Sequence, residues 1–532
     1  MSEKEFNLLD EPWIRVMTLN GETEEQSLLY VLCHAQEYKR LAGELPAQDF
    51  AVMRLLLAVV QTVIYRYDED DEESLLDEPQ EAVKRWRMIW KSGHLPSDLI
   101  NEYLTEWHER FWLFHPERPF YQVPEAANGT KASAAKLNGE ISESENKIRL
   151  FANRNGAGKS KLTFSEAARW LLYLNGYDDT SAKPKKKGLL SPGAGWLGKM
   201  GIVFAEGENL FETLMMNTVL LETENCQECW EEPLPTWELE KCRSGERENI
   251  NIPDNQAELL TLQSRRILLK RTDNNVDGYN LLGGDFFQKD GSINEQMTFW
   301  RVTEEKNKAL VVSPRRNNPN KQMWRDFANL VIGEKDGYRP GVVKWVEFLK
   351  RKNCIDNKKL ICFRTASVQY GDKDFFVTDV FGDNISFSLN IFTEYGLNWV
   401  RLINDEIGLC DKAAHFIKCF ANDLQKAAGD TSGKYSGNAG EQYYYLIDQP
   451  FRKWLLAIEP NISDREQEIV KWRKQALKIA MDLGKEMLQQ AGEKAFVGRK
   501  EEGEYYSSAS AYNKFLWSIN GCFKIKKEAD NG

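Results

Sequence analysis

The stretch LCDKAAHFIKCFANDLQKA, Leu409 to Ala427, repeats apolar residues at Leu409, Ala413, Phe416, Phe420, Leu424 and Ala427, at spacings of three and four. An α-helix turns about every 3.6 residues, so these side chains share one face. Ile469, Trp472, Ala476, Ala480, Leu483 and Met487 repeat the pattern, with Ser463 and Glu466 as a capping box ahead of them. Two further helices are expected, Glu441 to Ile458 with a break at Pro450, and Ser507 to Ile519. The Gly- and Ser-bearing stretch Gly429 to Gly440 reads as a flexible link. A helix apolar on one face needs partners, so four of them predict a C-terminal four-helix bundle.

Ahead of residue 388 the patterns are mixed. Trp13 to Val16 reads as a strand, and Ala51 to Tyr65 as a helix whose start signals are Pro46 and Asp49. Glu109 to Gln122 is aromatic and broken by two prolines, which makes it a packed loop. Ile148 to Ala152 is a candidate strand, Ser165 to Leu174 a helix, and Asn175 to Gly201 a long loop without apolar periodicity. Leu259 to Arg271 and Val276 to Leu282 form a hairpin around Asp273-Asn274-Asn275. Thr365 to Phe387 reads as strand, turn and strand, with Gly371-Asp372-Lys373-Asp374 at its tip. The expected fold class is α+β: a large mixed N-terminal domain over residues 1–387, then the four-helix bundle over 388–532.

The 532 residues, at about 100–200 per domain, allow two to four domains and a sizeable core. With 42% hydrophobic and 28% charged residues the chain is too apolar to be disordered. Its longest uninterrupted apolar run, Leu55 to Val60, reads as a buried helix and not a membrane span. The acidic start MSEKEFNLLDEP lacks the apolar core of a signal peptide, and the nine scattered cysteines suit a reducing compartment, so a cytoplasmic protein is expected.

A net charge of −11 hides an asymmetry. Between Asn146 and Gly201 eleven Lys and Arg face only three acids, Glu166, Asp178 and Asp179. Asp68 to Glu73, by contrast, is a continuous acidic run that reads as a solvated loop. The basic block includes Arg154, Lys159, Lys161, Lys183, Lys185, Lys186 and Lys187. A basic block in an acidic chain is the footprint of a local phosphate-binding surface, since each phosphate neutralised releases a counterion. A solvated lysine loop is the plainer alternative.

Asn153-Arg-Asn-Gly-Ala-Gly158-Lys159-Ser160 comes close to a P-loop, but Asn153 stands where the first glycine belongs. Nucleotide hydrolysis there is the alternative function; a Gly- and Lys-rich loop meeting a nucleic-acid backbone uses the same physics without turnover. Asp448, after Tyr445-Leu446-Ile447, is the nearest thing to a Walker B acid, yet it lies in the helical region. Cys226 and Cys229, with Cys242 further on, offer three thiolates where structural zinc takes four ligands, so no metal and no cofactor is expected. Gln263-Ser264-Arg265-Arg266, with Lys270 and Arg271, concentrates cations on the hairpin, where they could reach a groove or simply defend an edge strand.

These residues resemble a known family. Phe6-Asn7-Leu8-Leu9-Asp10-Glu11-Pro12-Trp13-Ile14-Arg15-Val16 is similar to the opening of the CasA family, the large subunit of the type I-E CRISPR Cascade surveillance complex. So are Arg54-Leu55-Leu56-Leu57-Ala58, the run Phe111 to Gln122, the run Leu260 to Ile267, and Tyr370-Gly371 with Asp379-Val380-Phe381.

The resemblance implies a non-enzymatic subunit at the 5′ handle of the guide RNA. Such a subunit reads the protospacer-adjacent motif of target double-stranded DNA, largely from the minor groove. It helps start duplex opening and docks a separate nuclease-helicase for antiviral defence. Its partners would be the guide RNA, the other Cascade subunits, target DNA and that effector, with no membrane.

The resemblance also places roles on residues. The family's handle- and motif-contacting loop has a Phe-x-Asn core matching Phe151-Ala152-Asn153, with a glycine-bearing loop following near Gly156 and Gly158. The family's Gly-Gly element is not found there. The basic finger falls on Gln263 to Arg271, and the wedge, often a glutamine, falls on Gly371-Asp372-Lys373-Asp374. An aspartate wedge beside phosphates would be repelled unless Lys373 compensated.

Overall fold

The computed structural model describes residues 4–68, 72–137, 154, 156–180, 193–222, 227–240, 243–244, 250, 253–287, 293–304, 310–333, 337–356, 360–430, 434–501 and 503–524. The chain is an α+β protein that divides into two compact units. The first comprises residues 1–319, 329–355 and 362–384; the second comprises 320–328, 356–361 and 385–532.

Among the described residues the first unit carries three three-stranded antiparallel sheets and two two-stranded ones, Glu5–Asn7 with Trp112–Phe114 and Trp300–Glu304 with Leu310–Pro314. Strands β1 (Ile14–Thr18), β2 (Thr23–Gln26) and β3 (Tyr38–Leu41) form one, with β1 central. Helix α1 (Pro46–Arg66) follows and is the core of the unit. Pro46 presets its first turn, so it begins five residues before the apolar periodicity does. It is long and apolar enough to cross a membrane, yet 94% of its apolar window is buried in the protein. Its one core guanidinium, Arg54, is neutralised by Glu295 at 3.0 and 3.1 Å and donates to the Leu259 carbonyl at 2.9 Å.

Strand β4 (Thr130–Ser133) precedes helix α2 (Phe164–Tyr177), whose start is a capping box between Thr163 and Glu166. Strand β5 (Phe204–Glu206) comes next, then the hairpin of β6 (Arg265–Thr272) and β7 (Asn275–Gly283). The hairpin closes over Asp273-Asn274, with Asp273 at φ +51°. Residues before Arg265 are not strand: Gln256–Leu260 is a short helix capped by Asn255, whose side chain accepts the Glu258 amide at 2.8 Å. Sheet order is β4-β7-β6, extended where Leu162 and Val276 exchange backbone bonds of 2.9 and 2.8 Å. Strands β8 (Leu360–Tyr370) and β9 (Val377–Ser388) pair with β5 in the order β9-β8-β5. Between Glu109 and Gln122 the packed loop contains one strand, Trp112–Phe114, paired with Glu5–Asn7. The expected strand Ile148 to Ala152 lies outside the described residues.

The second unit is built on four long helices: α3 (Glu394–Ala428), α4 (Lys434–Ala457), α5 (Arg465–Gln490) and α6 (Ser508–Cys522). Helix α4 starts earlier than its apolar pattern and runs through Pro450 without the expected break. The N-cap of α5 is Asp464, which accepts the Glu466 and Gln467 amides, whereas Ser463 accepts from Glu459. The interior pairs large with small: a Cβ on Gly484 would stand 2.3 Å from the Phe515 ring. Phe451, Trp454 and Trp472 pack as an aromatic cluster, and Trp324 stacks on Phe451 at 4.2 Å. Glu406 is fully buried and held by Arg473 at 2.6 and 2.9 Å.

Candidate nucleic-acid interface

Helix α2 ends at Tyr177, and the three residues after it join four segments that are distant in sequence. Asp178 and Asp179 are buried. Arg265, first residue of β6, bonds Asp178 Oδ2 through Nε at 2.6 Å and reaches the carbonyls of Asp179 at 3.1 Å and Gly193 at 2.5 Å. Thr180 and Gly193 are the described residues on either side of the lysine-rich segment. Gly195 N donates to the Asp178 carbonyl at 2.8 Å. Only glycine allows this seating, because a Cβ on Gly195 would lie 2.3 Å from the Gly176 carbonyl oxygen. Lys136, at the edge of the segment leading to Phe151, lies 3.7 Å from Asp179.

The tip between β8 and β9 is the fourth segment. Thr180 donates its amide to the Asp374 carbonyl at 3.1 Å and its hydroxyl to the Lys373 carbonyl at 2.9 Å. The Phe376 amide donates to Asp179 Oδ2 at 3.2 Å. Arg316 grips the Asp374 carboxylate with both terminal nitrogens, at 2.6 and 2.9 Å, and lies over the Tyr370 ring. Lys373, Asp374 and Phe376 are held at φ +55°, +59° and +62°, a region disfavoured for residues with a Cβ. These clamps therefore hold a strained loop in one shape. Asp374 is thus neutralised from the protein side, while Asp372, Lys373 and Phe375 face solvent.

The hairpin cations need correcting. Arg265 and Arg266 do not project: both are fully buried, Arg265 on Asp178 and Arg266 on Asp285 at 2.6 Å. Gln263 is buried too, and its carbonyl accepts from Arg266 at 2.9 Å. A buried guanidinium without a counter-charge is prohibitively desolvated, so these pairs are structural. Arg271 pairs with Glu5 and lies over the Phe114 ring. Lys270 is half-buried and makes no ion pair among the described residues.

Two further cations belong to this place: Lys199, one of the eleven cations of the basic block but given no role from sequence, and Arg316, which no motif marked. The Lys199 ammonium makes no hydrogen bond or ion pair among the described residues. Its pKa is pushed down to about 8 by burial and by the neighbouring Arg265 and Arg316 charges, against the pull of Asp374. Phe375 was also missed, because an exposed aromatic at a turn carries no periodicity.

Among the described residues the P-loop alternative gains no support. Ala157–Ser160 is a one-turn helix that ends at an extended Lys161, not the first turn of a long helix. The amide of Glu166 in the first turn of α2 is taken by Thr163, and the Glu166 carboxylate by the Thr163 amide and by Arg154 at 3.0 Å. Asp448 lies within α4 and accepts from Trp324 and Arg452. Gly156 and Gly158 are exposed, as is Lys161, while Lys159 is half-buried. Phe151, Ala152, Asn153, Lys183, Lys185, Lys186, Lys187, Cys226 and Cys242 lie outside the described residues. Cys229 is half-buried with its thiol pushed up to about 11, chiefly by burial, which disfavours a thiolate ligand. Among the described residues no cluster of three or more His, Cys, Asp or Glu could hold a metal.

Comparison with known proteins gives one consistent neighbourhood. The family profile of the CRISPR-associated protein Cse1 matches residues 7–483. A CRISPR-associated protein CasA/Cse1 of Thermus thermophilus is 31% identical over 246 residues, which is 46% of this chain and 45% of that protein, so this match spans less than half of the relative. The crystal structure of Thermobifida fusca Cse1 superposes with a TM-score of 0.85 at 28% identity, covering 98% of this chain and 99% of that one. Cse1 of Acidimicrobium ferrooxidans shares the fold at a TM-score of 0.78 and 22% identity, covering 98% and 99% of the two chains.

Proposed function

The chain belongs to the CRISPR-associated Cse1 (CasA) family, and from that premise we propose that it is the large subunit of an RNA-guided surveillance complex that reads the adjacent motif of target DNA. What supports the reading is the junction at Asp178–Thr180, where Thr180 and Gly193, the described flanks of the lysine-rich segment, meet Arg265 of the β6–β7 hairpin, the β8–β9 tip and Lys136.

The division of labour follows from energetics. Guide pairing supplies specificity over the long target, so the protein needs to read a few base pairs and offset part of the unstacking. Its positive charge should be local, since a chain basic throughout would hold every duplex. Lys183, Lys185, Lys186 and Lys187 hold backbone phosphates; Phe151 and Asn153 take the guide handle and the motif. Lys270 is the finger, since Arg265 and Arg266 are spent on structure.

The wedge is the tip, acting through Phe375 and Lys373. Arg316 removes the repulsion that Asp374 would otherwise exert on phosphates, and an exposed aromatic on a rigid turn can insert between base steps. Recruitment of a nuclease-helicase belongs to the same reading.

The test is duplex binding by the guide-loaded complex containing K270A or F375A. Each should weaken binding to motif-bearing targets at least tenfold, with strand opening, read by a base analogue beside the motif, lost for F375A first. Unchanged binding and opening in both variants would remove the finger and the wedge from these residues.

A further inference from the structure

A cavity of about 350 Å³ lies in the first unit between the start of α1 and strand β5, away from the Asp178 junction. Its walls are apolar and include two aromatic rings, Phe50 and Phe204, with centroids 5.6 Å apart, and the thioether of Met17. Its polar lining comprises the Glu44, Asp49 and Glu206 carboxyls, the Arg40 and Arg364 guanidiniums and the hydroxyls of Thr23, Thr213 and Thr365. Such a volume is at the small end of ligand sites, so it suits one flat heterocycle and not a dinucleotide.

The Asp49 carboxyl is half committed. One oxygen accepts the Gly43 amide at 2.7 Å, and the other has no hydrogen-bond partner among the described residues. Arg364 is paired with Glu206, and the Thr213 hydroxyl accepts the Gly207 amide and donates to the Asn209 carbonyl, while Asp49 keeps one carboxyl oxygen open on the wall. A carboxylate can accept two parallel N–H groups, which is the edge that guanine presents; protonated, it can both donate to and accept from an adenine edge. Pyrimidines offer less area to the ring walls.

The rim gives the cavity a source of bases. Glu44, which lines it, accepts from Arg169 at 2.9 Å and stands 3.5 Å from Arg154. Arg154 directly follows the Phe151-Ala152-Asn153 core. We propose that this cavity is a purine pocket that receives a single base, turned out of an RNA strand passing the Arg154 rim. The proposal rests on the functional reading above for the RNA, and on the cavity alone for the purine.

The test uses the purified full chain with guanosine, adenosine, cytidine and uridine 5′-monophosphates, and with uridine 8-mers carrying one purine or none. Calorimetry should show purine nucleotides binding at least tenfold more tightly than pyrimidine ones, and the purine-bearing 8-mer more tightly again. M17W, which fills the mouth, should abolish binding, and D49N should lower it at least tenfold with the circular-dichroism spectrum and melting point retained.

D49N is a fair probe of the fold as well as the pocket. Burial raises the Asp49 pKa to about 7, against the opposing Gly43 bond, the Arg364 and Arg40 charges and the reinforcing charge of Glu44. An acid with a raised folded pKa loses stability as pH climbs from its unfolded value, near 4, through 7. D49N should therefore melt no lower than the parent at pH 8. Equal affinity for all four nucleotides, or purine binding untouched by both variants, overturns the pocket. Purine binding with no gain from the 8-mer overturns the RNA source and leaves a free-nucleotide site. Loss of motif-dependent target binding by K270A with the pocket intact bears on the functional reading alone.

Discussion

Arg265 and Lys270 are five residues apart on one strand and are expected to respond oppositely to removal. R265M strips the counter-charge from buried Asp178 and should cost about 3–5 kcal/mol of stability, read as a lower chemical-unfolding midpoint of the isolated chain. K270A should leave that midpoint within experimental error and act only on nucleic-acid binding. Equal midpoints for R265M and the parent would mean the pair contributes nothing. Lys199 adds a pH effect: its pKa near 8 must rise when a phosphate approaches. The ammonium is about nine-tenths charged at pH 7 and half charged at 8, so binding should hold from pH 6 to 7 and weaken as the pH climbs through 8 to 9. K199M should bind more weakly at pH 7 and flatten that dependence; an undiminished slope would assign it to another group. Sequence reading saw the cations of β6 but not their fates, because Asp178 and Asp285 lie 87 and 19 residues from their partners. Alternation assigns faces; it cannot say that both faces are covered.

At the scale of elements, the tip and the bundle carry the accountable energy. Asp374 and Lys373 are held in a strained conformation by Arg316 and Thr180, so R316A should loosen the tip and speed amide exchange at Phe375 and Phe376. The strands on either side should keep their protection. In the bundle, R473M leaves Glu406 buried and unpaired, an expected loss of about 3–5 kcal/mol at pH 8. Burial already raises the Glu406 pKa despite Arg473, so the folded state favours its proton. Stability of R473M should therefore recover toward pH 5, as the carboxyl protonates; a loss independent of pH would point to packing.

The bundle helices were the most legible elements, because Leu409 to Ala427 and Ile469 to Met487 carry their partners' requirements in their own spacing. Their ends were less so. Ser463 looked like a cap until Asp464 took the amides, and Pro450 fits within α4 where a local rule expected a break. Short elements set by distant contacts, such as Gln256–Leu260, had no periodicity to read.

On the scale of the whole molecule, the charge imbalance and the fold tell one story. The −11 chain gathers eleven cations between residues 146 and 201, and under the proposed function that block holds nucleic acid at one place. Replacing Lys185, Lys186 and Lys187 with Ala should weaken duplex binding similarly for every motif and lower the salt slope by roughly one for each phosphate no longer neutralised. An unchanged slope would leave those lysines idle. Family-level motifs such as Phe6 to Val16 and Phe111 to Gln122 made the candidate site findable, but its organising residues, Asp178, Asp179 and Thr180, form no motif. They are three polar residues after a helix, and their importance exists only in three dimensions.

The central claim is that this chain makes target binding depend on the adjacent motif. The most direct measurement is binding by the guide-loaded complex, with and without this chain, to duplexes whose motif bases are randomised. The account predicts that binding needs the chain and varies with those bases. Equal binding in its absence, or indifference to the bases in its presence, would contradict it.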